Sequence, residues 1–156
     1  MKIEQRLQSW ITSAIDESPV KPNSCMTLKM LLGGYISTDF LAKCVYFVVD
    51  ELPFPHELLP VKDYQDMQSH RAVAFGRHYF IRPQYVNVPE VHLHQLVHCL
   101  QWEIMGQWYI SEFVKQLQMF GYKNAPMEQT AQFIEDNYSS KGAPIDVMQL
   151  VYRSIV

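Results

Sequence analysis

Cysteine is scarce in this chain of 156 residues, and the three present, Cys25, Cys44 and Cys99, are an odd set at wide spacings with no C-x-x-C pair. That excludes a disulfide framework or a thiolate zinc knuckle and fits reduced thiols. No sign of charge dominates either: thirteen Lys and Arg face sixteen Asp and Glu, for a net charge of −3. The basic residues are scattered, so the electrostatic footprint of a nucleic-acid binder is missing. The opening MKIEQR alternates charged and apolar residues and lacks the apolar core of a signal peptide, and no later segment approaches a membrane span. A cytoplasmic protein with neither nucleic-acid nor membrane partner is expected. Internal repeats, low-complexity tracts and linkers are also lacking, so residues 1–156 read as a single domain, long enough to bury a core without disulfides.

What is present is hydrophobic periodicity. Ile3, Leu7, Trp10, Ile11, Ala14 and Ile15 predict an amphipathic first helix that ends at Ser18-Pro19. Ser24 caps a predicted second helix over Met26 to Leu32, stopped by Gly33-Gly34, and a helical turn follows from Thr38 to Ala42. The run Cys44 to Val49 is β-branched or aromatic after its first residue and reads as a buried strand, followed by a proline-rich loop to about Ser69. Residues 71–83, RAVAFGRHYFIRP, read as a hairpin turning near Gly76-Arg77. From Pro89 to Gly106 the pattern is helical, then again from Trp108 to Gly121, again from Pro126, and in a short tail helix within 145–156. The fold class expected is α+β. N-terminal helices (1–43) precede a small antiparallel sheet (about 44–83), and a helical region (89–156) lays its first helix against that sheet.

Chemistry concentrates in HQLVH, His94 to His98, inside that first C-terminal helix. Two histidines four apart share one helix face and can bind a metal through imidazole nitrogens, as in the H-E-x-x-H zinc motif, where the glutamate is the general base. Here Gln95 stands at the glutamate position. A carboxylate takes a proton near neutral pH and a carboxamide does not, so the ligands are kept and the base is lost. Glu90 and Glu103 flank the motif at spacings from which neither reaches the place of the missing carboxylate. A third ligand is needed, and the best candidate is Glu128, which opens the helix in NAPMEQTAQF thirty residues after His98. Each residue also has a plainer reading: His94 and His98 as hydrogen-bonded core histidines, Glu128 as a first-turn carboxylate favoured by the helix dipole. His92 falls on another helix face and reads as a surface or interface residue, with a contribution to a weaker metal site as the alternative. Cys99 reads as a buried small hydrophobe, Met105, Met119 and Met127 as core filling. Gln101 and Trp102 are expected to serve packing and hydrogen bonding. Tyr122, after a helix-stopping glycine, could polarise a substrate carbonyl or simply cap the core.

The order of a strand ending in R-P, an H-x-x-x-H helix with Gln101 three residues after the second histidine, a G-Y turn and N-x-P-x-E-x-x-A resembles the minimal zincin-like, gluzincin-type domains of bacteria. Among them it is similar to the core domain of extracellular contractile injection systems. The likeness covers roughly residues 71–135 and leaves the N-terminal third unmatched. It implies a zincin core in which His94, His98 and Glu128 hold zinc. Two departures stand out: Gln95 for the catalytic glutamate, and Gln132 where an acidic residue often supports a histidine ligand. The expectation is therefore a metal-binding pseudoenzyme, serving as a structural or interaction module with a protein or peptide partner. The alternatives are a metal-dependent hydrolase with an atypical base, and a vestigial site with a protein-binding role only. Substrate, metal preference and oligomeric state are not written in the sequence.

Overall fold

The computed structural model describes residues 2–55, 57–58, 70–141 and 145–155. Helix α1 (Ile3–Asp16) is followed by a two-residue strand β1 (Asn23–Ser24), α2 (Lys29–Leu32) and α3 (Thr38–Lys43). Strands β2 (Val45–Val48), β3 (Ala72–Phe75) and β4 (His78–Ile81) come next, then α4 (Pro89–Met105), α5 (Trp108–Phe120), α6 (Pro126–Asp136) and α7 (Val147–Ile155). The α+β class holds. Most of the predicted proline-rich loop, residues 56 and 59–69, lies outside the described residues.

Local chemistry accounts for the boundaries. Ser24 Oγ accepts from Met26 N–H and opens a 3-10 turn, Cys25–Leu28, that runs into α2, so the predicted second helix is two joined pieces. Ser37 caps α3 through Phe40 N–H. Gly76, Gly106 and Gly121 adopt positive φ at the hairpin turn and after α4 and α5, where a side chain would be strained.

The sheet runs β1-β2-β4-β3, and it is mixed rather than antiparallel as expected. β2 pairs in parallel with β4, Val45 opposite His78 and Val48 opposite Ile81, while β3 and β4 form the antiparallel hairpin. β3 runs opposite to β2 on the far side of β4, and the hairpin then turns β4 back between them, so β4 lies parallel to β2. β1, too short to leave a sequence signal, adds an antiparallel edge.

Both sheet faces are buried, in alternation along each strand. Tyr46, Ala72, Tyr79 and Ile81 face a core built on α4 with Leu93, Leu96, Val97 and Leu100. Phe47, Val73, Phe75 and Phe80 face a second core with Leu7 and Ile11 of α1 and Tyr109, Ile110 and Val114 of α5. Helix α4 also packs on α6 and α7, so every residue from Val91 to Gln101 is buried. A helix enclosed on all sides carries little amphipathic signal, and its leucines each contribute about 1.5–3 kcal/mol by burial.

That enclosure corrects the placement of His92. It is 1% exposed rather than a surface residue, with Nε2–H donating to Val86 O at 2.8 Å and Nδ1 meeting the Tyr79 hydroxyl. The thiol of Cys25 donates to the same hydroxyl at 3.7 Å, completing a satisfied chain in which burial pulls the His92 pKa down and keeps the ring neutral. Cys99 is fully buried as expected, and Met127 is core, but Met119 is 62% exposed on the outer face of α5.

Candidate metal centre

His94 and His98 sit one turn apart on α4, near the junction with α6. Pro126 opens α6 with its φ already set for a helix and no N–H to satisfy, and Glu128 follows in the first turn, where the helix dipole favours a carboxylate. Two glutamines fix this start. Gln116 of α5 accepts from Met127 N–H at 2.9 Å, and Gln101 of α4 donates to Met127 O at 3.0 Å. Glu128 is thereby held against the histidine face.

The three side chains converge. His94 Nε2 lies 3.0 Å from one Glu128 carboxylate oxygen, His98 Nε2 lies 2.9 Å from the other, and the two Nε2 atoms are 3.2 Å apart. Their ligand atoms fall within 4.8 Å of one another, close enough to hold a metal ion. Bonds of ~2.0–2.1 Å to a tetrahedral zinc place ligand atoms about 3.3 Å apart, so spacings of 2.9–3.2 Å need only a slight expansion. The other ring nitrogens are turned away from this point. His98 Nδ1–H donates to Gln101 Oε1 at 2.8 Å. His94 Nδ1 lies 3.0 Å from Glu135 Oε1, at ion-pair distance but out of line for a full hydrogen bond.

Electrostatics follow from the crowding. Burial opposes charging His94, but the Glu128 and Glu135 carboxylates outweigh it and raise the imidazole to about 9. Burial likewise pushes both carboxyls up. His94 and His98 overcome this at Glu128 and hold it well below the usual range, and His94 and Arg71 hold Glu135 at about 2. Glu135 is also tied to Arg71 by an ion pair and accepts from Gln132 Nε2 at 3.2 Å.

The site separates two cavities. On one side is an apolar hollow of about 50 Å³ walled by Val73, Phe75, Trp102 and Tyr109, reaching Gln95, His98 and Glu128. On the other is a polar cleft of about 520 Å³ bordered by His70, Arg71, Tyr85 and Lys123, reaching His94, Gln95 and Glu128. Gln95 lines both and is 5% exposed, yet its Oε1 is buried without a partner among the described residues. Such an orphaned acceptor costs about 1–3 kcal/mol unless a donor from outside the chain meets it, and water held on a metal is one such donor. Tyr122 also lines both cavities, and burial followed by the neighbouring Glu128 charge keeps its phenol protonated.

Glu90 and Glu103 line neither cavity, and Glu103 is engaged by Arg77 at 2.8 and 2.9 Å. Gln132 does not support a histidine ligand; its amide turns to Glu135 and Asp136. The residues that sequence reasoning overlooked are Glu135, Arg71 and Gln116. Glu135 was detectable: it follows Glu128 by seven residues, two helical turns along the same face. No family model matches the chain, and neither does any curated protein or solved structure.

Proposed function

We propose that the chain is a zincin-like domain in which His94, His98 and Glu128 hold a divalent metal, zinc by preference, without efficient hydrolysis, and that it acts as a structural or interaction module. The observation that carries this reading is the convergence of two imidazole Nε2 atoms and one carboxylate at 2.9–3.2 Å. Two nitrogens and one oxygen suit zinc better than magnesium or calcium, which take oxygen ligands. A bound zinc would supply Lewis acidity and acidify a coordinated water. The chain's own residues can then orient that water, through Gln95 Oε1, but cannot relieve it of a proton. Glu128 is the only carboxylate among the described residues lining the two cavities, and it is committed to the histidines. Loss of a general base costs ~10²–10⁴ in rate.

Protein purified without a histidine tag should carry close to one zinc per chain by elemental analysis and regain it after chelation. Failure to bind zinc, cobalt or manganese at any concentration tried would overturn the reading. Chelator-sensitive cleavage of a peptide library by the wild-type chain, abolished in His94→Ala, would replace the non-catalytic role with an atypical hydrolase.

A further inference from the structure

His94 has a second acidic neighbour, Glu135, two helical turns beyond Glu128. We propose that Glu135, pinned by Arg71, is the positioning residue of the metal centre: it fixes the His94 ring so that Nε2, and not Nδ1, faces His98 and Glu128. This rests on the metal-binding reading above and adds a role to it.

Four observations carry it. Glu135 Oε1 is the atom that both Arg71 and His94 Nδ1 approach, so one oxygen links the edge of the hairpin to the metal helix. The second oxygen is occupied by Gln132 Nε2 at 3.2 Å, which leaves the carboxylate no freedom to turn away. The Glu135 side chain is 11% exposed and that of His94 is 4% exposed, so this is an enclosed arrangement and not a surface ion pair of small consequence. Finally, Nδ1 and Nε2 point to opposite sides of the imidazole, so Glu135 cannot join the ligand set; its reach extends to the ring alone. Carboxylates behind ligand histidines fix the tautomer and raise the basicity of the metal-facing nitrogen. His98 Nδ1–H donates a hydrogen bond to the neutral Gln101 Oε1 at 2.8 Å, whereas His94 Nδ1 meets Glu135 at ion-pair distance, 3.0 Å. The two ligands are therefore supported unequally, one by a charge and one by an amide.

The arrangement also gives Arg71 a role. It lies immediately before β3 and lines the polar cleft, with its guanidinium on the Glu135 carboxylate. Its guanidinium offsets that charge and holds the oxygen in place.

The test compares Glu135→Gln with Arg71→Gln in the full chain. Both remove the same ion pair, but only the first removes the charge beside His94. Zinc affinity is read by competition with a chromogenic chelator, site geometry by the visible spectrum of the cobalt form, and metal-free stability by thermal unfolding. Glu135→Gln should weaken zinc binding about 10–100-fold and alter the cobalt spectrum. Arg71→Gln should cost less affinity even where it lowers the unfolding temperature as much. Equal losses of affinity in the two variants would reduce Glu135 to a structural ion-pair partner, and wild-type affinity in Glu135→Gln would remove its role; either overturns the proposal. If Glu135→Gln fails to fold by circular dichroism, Glu135→Met, which likewise removes the charge, takes its place and is read against the same limits. Should the wild-type chain itself bind neither metal, the metal-centre reading fails and this one falls with it, an outcome separate from a wild type that binds beside a variant that binds equally well.

Discussion

Replacing His94 by Gln in the metal-free protein removes a charge while keeping most of the side chain's volume, and the consequence can be worked out from the structure. His94 is 3% exposed, with Glu128 Oε1 and Glu135 Oε1 each 3.0 Å from a ring nitrogen. A rise from 6.5 to about 9 in its pKa, at ~1.4 kcal/mol per pH unit, corresponds to roughly 3 kcal/mol. The depressed carboxyls are the same interactions seen from the other side and are not added. Because the imidazole's pKa is raised on folding, this stabilisation is complete below 6.5 and disappears as pH climbs through about 9. Because the carboxyls are lowered, it is retained above 4.5 and fades as pH falls toward the Glu135 value of about 2. Between 4.5 and 6.5 it is present in full. In chelator at about pH 6, His94→Gln should therefore unfold ~6–12 °C below wild type, taking ~2–4 °C per kcal/mol for a chain of this size. At about pH 10 the two curves should draw together, leaving only the packing difference. Differential scanning calorimetry across that range is the assay. A penalty of constant size from pH 6 to pH 10 would refute the reasoning, because only a protonated imidazole between two carboxylates makes the penalty titrate.

The proton that stabilises the metal-free cluster must leave His94 before zinc binds, so zinc affinity should rise about tenfold per pH unit up to about 9 in chelator competition, and a flat profile would contradict the shared site. Gln95→Glu returns a carboxylate to a position lining both cavities and should raise chelator-sensitive peptide hydrolysis by ~10²–10⁴ over the wild-type rate; no gain in a folded, zinc-loaded variant would show that the pocket no longer accepts substrate. Tyr79→Phe strips His92 Nδ1 of its hydroxyl partner and should cost about 1–3 kcal/mol in urea unfolding while leaving zinc stoichiometry unchanged. A loss of zinc in that variant would mean that the His92 chain and the metal centre are coupled.

Element order was legible in this sequence because its punctuation is chemical. Pro89 and Gly106 bracket α4, Pro126 opens α6 and Gly121 closes α5, each through φ preferences that need no tertiary partner. Strand direction was not legible, since a strand alternates identically whichever way it runs, and the parallel pairing arises because the second strand of the hairpin, not the first, takes the place beside β2. Helix α4 misled for a different reason. Amphipathic logic assigns its polar positions to solvent, yet α4 is walled by sheet and helices, so His92 lies inside. The three side chains that converge, His94, His98 and Glu128, were legible through an i, i+4 spacing and a proline-led carboxylate. Glu135 was missed because the search for a supporting acid stopped at Gln132, one turn short.

The placement of buried polar groups gives the strongest internal argument for a ligand. Six polar or charged residues are buried among those described, and five of them, His92, His94, Gln95, His98 and Gln101, share α4. A helix in that position would gain stability from apolar residues, since each polar group must recover its lost hydration from a partner. Most of them do so within the chain: His92 through Tyr79 and Val86, His98 through Gln101, and Gln101 through Met127. Gln95 Oε1 does not; the atom is buried, in a residue that lines both cavities beside the converged nitrogens. On α4 the open positions among the described residues are Gln95 Oε1, His94 Nδ1 and Trp102 Nε1, and all three residues line one or both cavities. An ancestral core that had lost its ligand would be under no constraint to keep an unpaired carboxamide there, since Leu or Met at position 95 would fill the same space without the ~1–3 kcal/mol penalty. Gln95→Met tests whether a bound group meets this acceptor. The metal-free protein should gain stability from that change, and the zinc-bound protein should lose part of its advantage over the metal-free form.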